Sequence, residues 1–150
     1  MTGDVTKSLE NFVNQFVVRH REASQPLVVQ FDEEWVSPCH TQEAEALEWV
    51  NWQPVRQDKT QNFDAVESAL EMELHPDAKE YFSAFWSDNL DAETEKGNLQ
   101  LLFPWNQDDF ERLLQNLIGH ILMKRRLGQA ETLFFAVTDE EDFILTIDNS

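Results

Sequence analysis

Ser37-Pro38-Cys39-His40 is the stretch whose residue types come nearest to covalent chemistry, because a thiolate paired with an imidazole is a working nucleophile. The arrangement argues against that use. Adjacent residues on an extended segment point to opposite sides, no local glycine-rich turn would expose the sulfur or build an oxyanion site, and the other histidines stand in unrelated contexts. Cys39 therefore reads as a structural cysteine, buried or half-buried. Cys39, His40, His75 and His120 match none of the paired spacings that zinc sites use, so no metal centre is expected. Gly3, Gly97, Gly119 and Gly128 are all isolated, which leaves neither a dinucleotide fingerprint nor a phosphate loop and hence no expected cofactor. Carboxylates are so abundant that some pair must fall within glycosidase-like reach, and that abundance makes the pairing uninformative. No catalytic residue is assigned, and the chain reads as a binding protein rather than an enzyme.

What remains is acidic recognition. The chain of 150 residues carries 11 basic and 29 acidic side chains, a formal net charge of −18, and such a field repels phosphate and anionic lipid headgroups. Nucleic acid and direct lipid insertion are not expected, whereas a basic protein partner is favoured. Two acidic segments stand out. Asp32-Glu33-Glu34 runs directly into Trp35, and carboxylates beside an aromatic face suit a Lys- or Arg-rich surface. Asp139-Glu140-Glu141-Asp142 lies between two apolar runs, as the tip of a hairpin. Each has a plainer reading: a solvated turn with Trp35 tucked into the core, and a solvated hairpin tip.

The elements that would position these segments follow from periodicity. The clearest is a helix within 103–127. Its Phe110, Leu113, Leu114, Leu117, Ile118, Ile121 and Leu122 recur at three- and four-residue spacing and are expected to face the core. Asn106 suits its N-cap, Asp108 and Asp109 its first turn, Lys124, Arg125 and Arg126 its last, and Gly128 its end. Gly119 either admits a neighbour closely or is simply tolerated. An N-terminal helix from Val5 to about Glu22, capped by Asp4, places Leu9, Phe12, Val13, Phe16 and Val17 on one side. Strands are expected at 27–31 and 47–55, the latter leaving its sheet at Pro54, followed by a polar loop over 56–61. Asp64 is placed as the cap of a helix through Val66, Ala69 and Leu70. Pro76 opens another that carries Tyr81, Phe82, Phe85 and Trp86. A charged turn over 87–98 precedes a short strand at Leu99 and Leu101, and 132–137 and 143–147 pair as a hairpin.

One domain is expected from this length, with 41% hydrophobic residues, eleven phenylalanines and five tryptophans to fill its core. The lone cysteine excludes an internal disulfide, and residues 1–7 lack the basic and apolar regions of a secretory signal. No apolar run approaches the roughly 20 residues needed to span a bilayer. A cytoplasmic protein whose membrane association runs through another protein is the expectation.

Several stretches carry a family resemblance. Asp109-Phe110-Glu111-Arg112-Leu113, Asn116-Leu117-Ile118-Gly119-His120 and Lys124-Arg125-Arg126-Leu127, then Thr132-Leu133-Phe134-Phe135-Ala136 and Thr138-Asp139-Glu140-Glu141-Asp142, resemble the second half of Syd, the SecY-interacting family of Gram-negative bacteria. Ser37-Pro38-Cys39, Trp52-Gln53-Pro54, Asn62-Phe63, Val66-Glu67, Ala69-Leu70, His75-Pro76 and Tyr81-Phe82 extend the likeness over most of the chain. The resemblance implies the α+β arrangement of the SUKH superfamily, with helices on a mainly antiparallel sheet. Family members usually continue through a further strand and a C-terminal helix, beyond the Ile147-Asp148-Asn149-Ser150 at which this sequence stops. The partner it implies is SecY, the translocon channel subunit, engaged by its basic cytosolic loops at the cytoplasmic face of the inner membrane. The implied task is to probe whether SecY is properly assembled with SecE and to disturb abnormal complexes. SUKH relatives that neutralise toxins supply the alternative, an immunity-type inhibitor of a basic toxin or nuclease. Asp32, Glu33, Glu34, Asp139, Glu140, Glu141 and Asp142 are expected to face the partner, with Trp35 as an anchor.

Overall fold

The computed structural model describes residues 4–58, 61–95, 97–138 and 144–149. The apolar stripe within 103–127 becomes α4 (Gln107–Arg126), opened by the Asn106 side chain, which accepts from the Asp109 amide at 2.8 Å. Gly128, at φ +68°, follows its last turn in the left-handed region that glycine enters without Cβ strain. Phe110, Leu117 and Ile121 are buried and Leu113, Leu114 and Ile118 are half-buried. Leu122 departs from expectation. It is 46% exposed, because the face that packs on the sheet is narrower than the apolar arc of the sequence. Nothing lies within 4 Å of where a Cβ on Gly119 would sit, so this glycine is tolerated rather than required by a close approach.

The partner layer for α4 is an antiparallel sheet in the order β5 (Leu90–Thr94), β6 (Gly97–Leu101), β7 (Thr132–Thr138), β8 (Ile144–Asp148). The β7–β8 hairpin stands where the apolar runs put it, with a register shift between Phe134 and Ala136. The acidic run Asp139–Asp142 lies outside the described residues. β5 occupies the middle of the expected charged turn over 87–98. Its Leu-Asp-Ala-Glu-Thr sequence lacks a strand composition, and pairing with β6 across Gly97 at φ +125° makes it a strand.

The remaining helices complete the core, α2 (Asp64–Leu70) against α4 and α1 (Asp4–Glu22) against α3 (Pro76–Ala84). α1 buries Leu9 and Val13 and half-buries Phe12, Phe16 and Val17, with Asp4 inside the helix rather than ahead of it. Its Thr6 donates from both amide and hydroxyl to Glu80 Oε1, at 2.8 and 2.6 Å, which ties it to α3. α3 opens on Pro76 as expected, behind a His75 ring that accepts from the Asp77 amide. α2 differs: Asp64 is its first residue, and Phe63 holds the cap position without a side-chain bond. Phe85 and Trp86 are not helical either. They form β4 and pair with β3 (Val55–Arg56), so Arg56 is in a strand where a polar loop was expected, and Val55 pairs with Trp86 beyond Pro54 rather than ending the 47–55 strand. Gln57 is buried beside it because its amide donates to the Phe82 and Phe85 carbonyls, both at 3.0 Å. Tyr81 stacks on Phe103 at 5.4 Å and donates to the Leu102 carbonyl at 3.0 Å.

The observed class is α+β with antiparallel sheets, as expected. One contiguous apolar cluster runs from Leu9 in α1 through Cys39, Trp52, Phe82 and Phe110 to Leu133 in β7. Among the described residues, no helix is long and apolar enough to cross a membrane.

Candidate functional site

The acidic triplet sits on a small lobe built on a two-stranded ribbon, β1 (Val28–Gln30) paired antiparallel with β2 (Trp49–Asn51). Beyond the ribbon the pairing continues. The Phe31 amide donates to the Glu48 carbonyl at 2.7 Å and the Leu47 amide to the Phe31 carbonyl at 2.9 Å. This closes the 32–46 connection at its base, so the turn carrying Asp32, Glu33 and Glu34 and the segment carrying Glu43, Glu45 and Glu48 leave from one point. All six carboxylates are exposed. No Lys or Arg occurs between Arg21 and Arg56, so nothing in the lobe's own sequence neutralises them. The triplet is shaped by its own first residue, since Asp32 Oδ1 accepts from the Glu34 amide at 2.9 Å.

The lobe is fixed to the N-terminal end of α4. Ser37 Oγ donates to the Trp105 carbonyl at 2.6 Å and accepts from the Cys39 amide at 3.0 Å. Asn106 Nδ2 donates to the Val36 carbonyl at 3.1 Å, so the residue that caps α4 also holds the acidic turn. Trp52 and His40 meet Trp105 edge-on at 5.7 and 5.3 Å, and Phe31 packs on His40 at 5.2 Å. Between the two segments opens a hollow of about 520 Å³ walled by Phe31, Val36, His40 and Ala44.

The sulfur of Cys39 has no access to solvent, and burial pushes its thiol up to about 11, so it is held as a neutral apolar side chain. Its neighbour His40 also stays neutral. Burial lowers its pKa, and its Nδ1 faces the Ser37 amide at 3.3 Å, an interaction that requires an unprotonated nitrogen. A sign follows. Between the lowered pKa and the ordinary value near ~6.5 the unfolded chain binds the proton and the folded chain does not, so folded stability falls as pH drops below about 6.5. Thermal midpoints taken from pH 7.5 to 5.5 should fall more steeply for the native protein than for His40→Asn. The asparagine keeps an acceptor for Ser37 and removes the titration.

Trp35 is half-buried, with the Arg112 guanidinium 5.6 Å from its ring centre and Arg112 bonded in turn to Asp109 at 2.6 Å. The face of Trp35 thus already carries a cation from α4. The exposed aromatic is a different one. Trp49 is 67% exposed and Leu47 72%, and Val28 and Val36 are exposed as well. Pairing of Val29 with Val50 turns those two inward, and Trp49 opposite Gln30 and Val28 opposite Asn51 form the outer face. Strand alternation alone does not choose between the sides of this segment, because Trp49 stands on one and Val50 and Trp52 on the other. Leu47 is at φ +69°, a left-handed backbone that costs a leucine about 1 kcal/mol. It is held there by the Phe31 carbonyl on its amide and by Gln30 Nε2 on its carbonyl at 3.1 Å.

Among the described residues, no three His, Cys, Asp or Glu side chains are grouped to hold a metal ion. The arrangement offers carboxylates around exposed apolar side chains, the chemistry of a docking surface for a basic segment.

A family model described as Syd protein (SUKH-2) matches residues 6–150. The chain is 45% identical over 151 residues to Protein Syd of Pseudoalteromonas atlantica, spanning 99% of this chain and 81% of that protein. It is 48% identical over 145 residues to Protein Syd of Alteromonas mediterranea, spanning 97% and 79% of the two. Protein Syd of Colwellia psychrerythraea is similar at 46% identity over 156 residues, 97% of this chain and 78% of that protein.

Proposed function

The chain belongs to the Syd family, and from that premise we propose that it is a non-enzymatic binder of the basic cytosolic loops of SecY. It acts at the cytoplasmic face of the bacterial inner membrane, where it monitors improperly assembled SecY complexes and disturbs them. The observation that carries the reading is the 31–48 lobe, with six exposed carboxylates and no Lys or Arg of its own. Cytosolic loops of membrane proteins carry an excess of Lys and Arg, so the lobe and the loop are complementary in sign. The lobe's attachment to the capped end of α4 presents these charges on a fixed base, which limits the ordering cost of binding. Asp139, Glu140, Glu141 and Asp142 are the further charges that we assign to the partner contact.

Sedimentation with inverted inner-membrane vesicles tests the reading, comparing ordinary vesicles with vesicles enriched in SecY. Bound protein should rise with SecY. It should also fall steeply as salt approaches a few tenths molar, where the Debye length shrinks to roughly 5 Å. Sedimentation independent of SecY would remove this function and leave a soluble basic toxin as the partner to seek.

A further inference from the structure

Besides its carboxylates, the 31–48 lobe and its ribbon carry large apolar side chains that are left to solvent. Of the exposed large apolar residues in the described chain, Val28, Val36, Leu47 and Trp49 all fall within this lobe and its ribbon. Leu47 is held in a left-handed backbone that asparagine or glycine would adopt at lower cost, yet 72% of its surface is left to solvent. The bonds to Phe31 and Gln30 account for the backbone conformation, but they involve no side-chain atom of Leu47 and so do not account for an exposed leucine at this position. Of the rest, Val18 stands alone on α1, and Leu122, Met123 and Leu127 at the end of α4 are interspersed with Lys124 and Arg126, whose charges repel a basic segment.

Resting on the SecY reading, we propose that the outer face of the β1–β2 ribbon is the apolar centre of the partner contact. A basic segment seats an aliphatic or aromatic side chain on Trp49 and Leu47 and lays its Lys and Arg residues among Asp32, Glu33, Glu34 and Glu48. The charges steer and orient the encounter, and the desolvated aromatic supplies the slow dissociation. The partner is therefore a mixed basic and apolar segment, and a purely basic one binds more weakly.

Trp49→Ser and Leu47→Asn test this by sedimentation with SecY-enriched vesicles, each alongside a thermal melt. Trp49→Ser should weaken binding at least about tenfold. Leu47→Asn should weaken it while leaving the melting temperature equal or higher, because asparagine suits φ +69° better than leucine. A merely structural role for Leu47 would move the two readouts together. Both losses should persist at high salt. Native-like binding by both variants, with a variant carrying Asp32→Asn, Glu33→Lys and Glu34→Lys defective, would overturn the apolar contact and leave the SecY reading standing. Failure of the native protein to bind SecY vesicles would overturn that reading and this inference with it.

Discussion

Replacing Asp32 by Asn and Glu33 and Glu34 by Lys is expected to weaken binding to SecY-enriched vesicles by at least about 100-fold at low salt. The change raises the formal net charge of −18 by five, all within one exposed turn. It should not disturb the fold. Asn keeps the acceptor that Asp32 Oδ1 offers the Glu34 amide at 2.9 Å, and the Glu33 and Glu34 side chains are exposed. Two features separate an electrostatic contact from a local defect. The difference between native and variant should shrink as salt rises, because screening removes from the native protein what the variant has already lost. The association rate should fall more than the dissociation rate rises, as expected for charges that act on encounter. Equal weakening at all salt concentrations would count against charge as the cause.

Asn106→Ala is expected to destabilise the fold by about 2–3 kcal/mol, the sum of two local losses. One is the α4 cap, through the bond accepted from the Asp109 amide at 2.8 Å. The other is the donor to the Val36 carbonyl at 3.1 Å, which leaves a partly buried acceptor without its partner. Asn106→Asp separates them. Aspartate still accepts at the cap and its charge suits the helix N-terminus, but it cannot donate to Val36 and sets a carboxylate against a carbonyl. Denaturant unfolding should show the aspartate variant closer to native stability than the alanine variant. Hydrogen exchange should show faster opening of the 31–48 lobe in both. If α4 and the lobe lost protection together in the aspartate variant, the two roles would not be separable.

Much of this architecture was legible before any tertiary structure, wherever the rule is local. The cap at Asn106, the glycine after the last turn of α4, Pro76 at the start of α3 and the β7–β8 hairpin each depend on residues a few positions apart. Backbone preference and side-chain capping act at that range. The acidic balance and the family likeness were equally plain, and with them the expectation of a basic partner. Other features depended on distant pairing. β5 is a strand because β6 lies beside it, and Val55 and Arg56 are a strand because Phe85 and Trp86 leave α3 to meet them. Leu122 carries the same periodicity as the buried residues of α4 and still faces solvent.

The candidate site divides along the same line. Asp32, Glu33 and Glu34 were readable as charge, but their joining with Glu43, Glu45 and Glu48 required the bonds of Phe31 to Glu48 and Leu47 across the lobe. Which tryptophan is free was a tertiary outcome too, since Arg112 of α4 covers Trp35 while the register of β1 on β2 turns Trp49 outward. By itself the sequence determined the acidic balance, the positions of the main helices and the expectation of a basic partner. The tertiary structure decided which of those side chains stand together and which face water, because burial and strand register are set by residues distant in sequence.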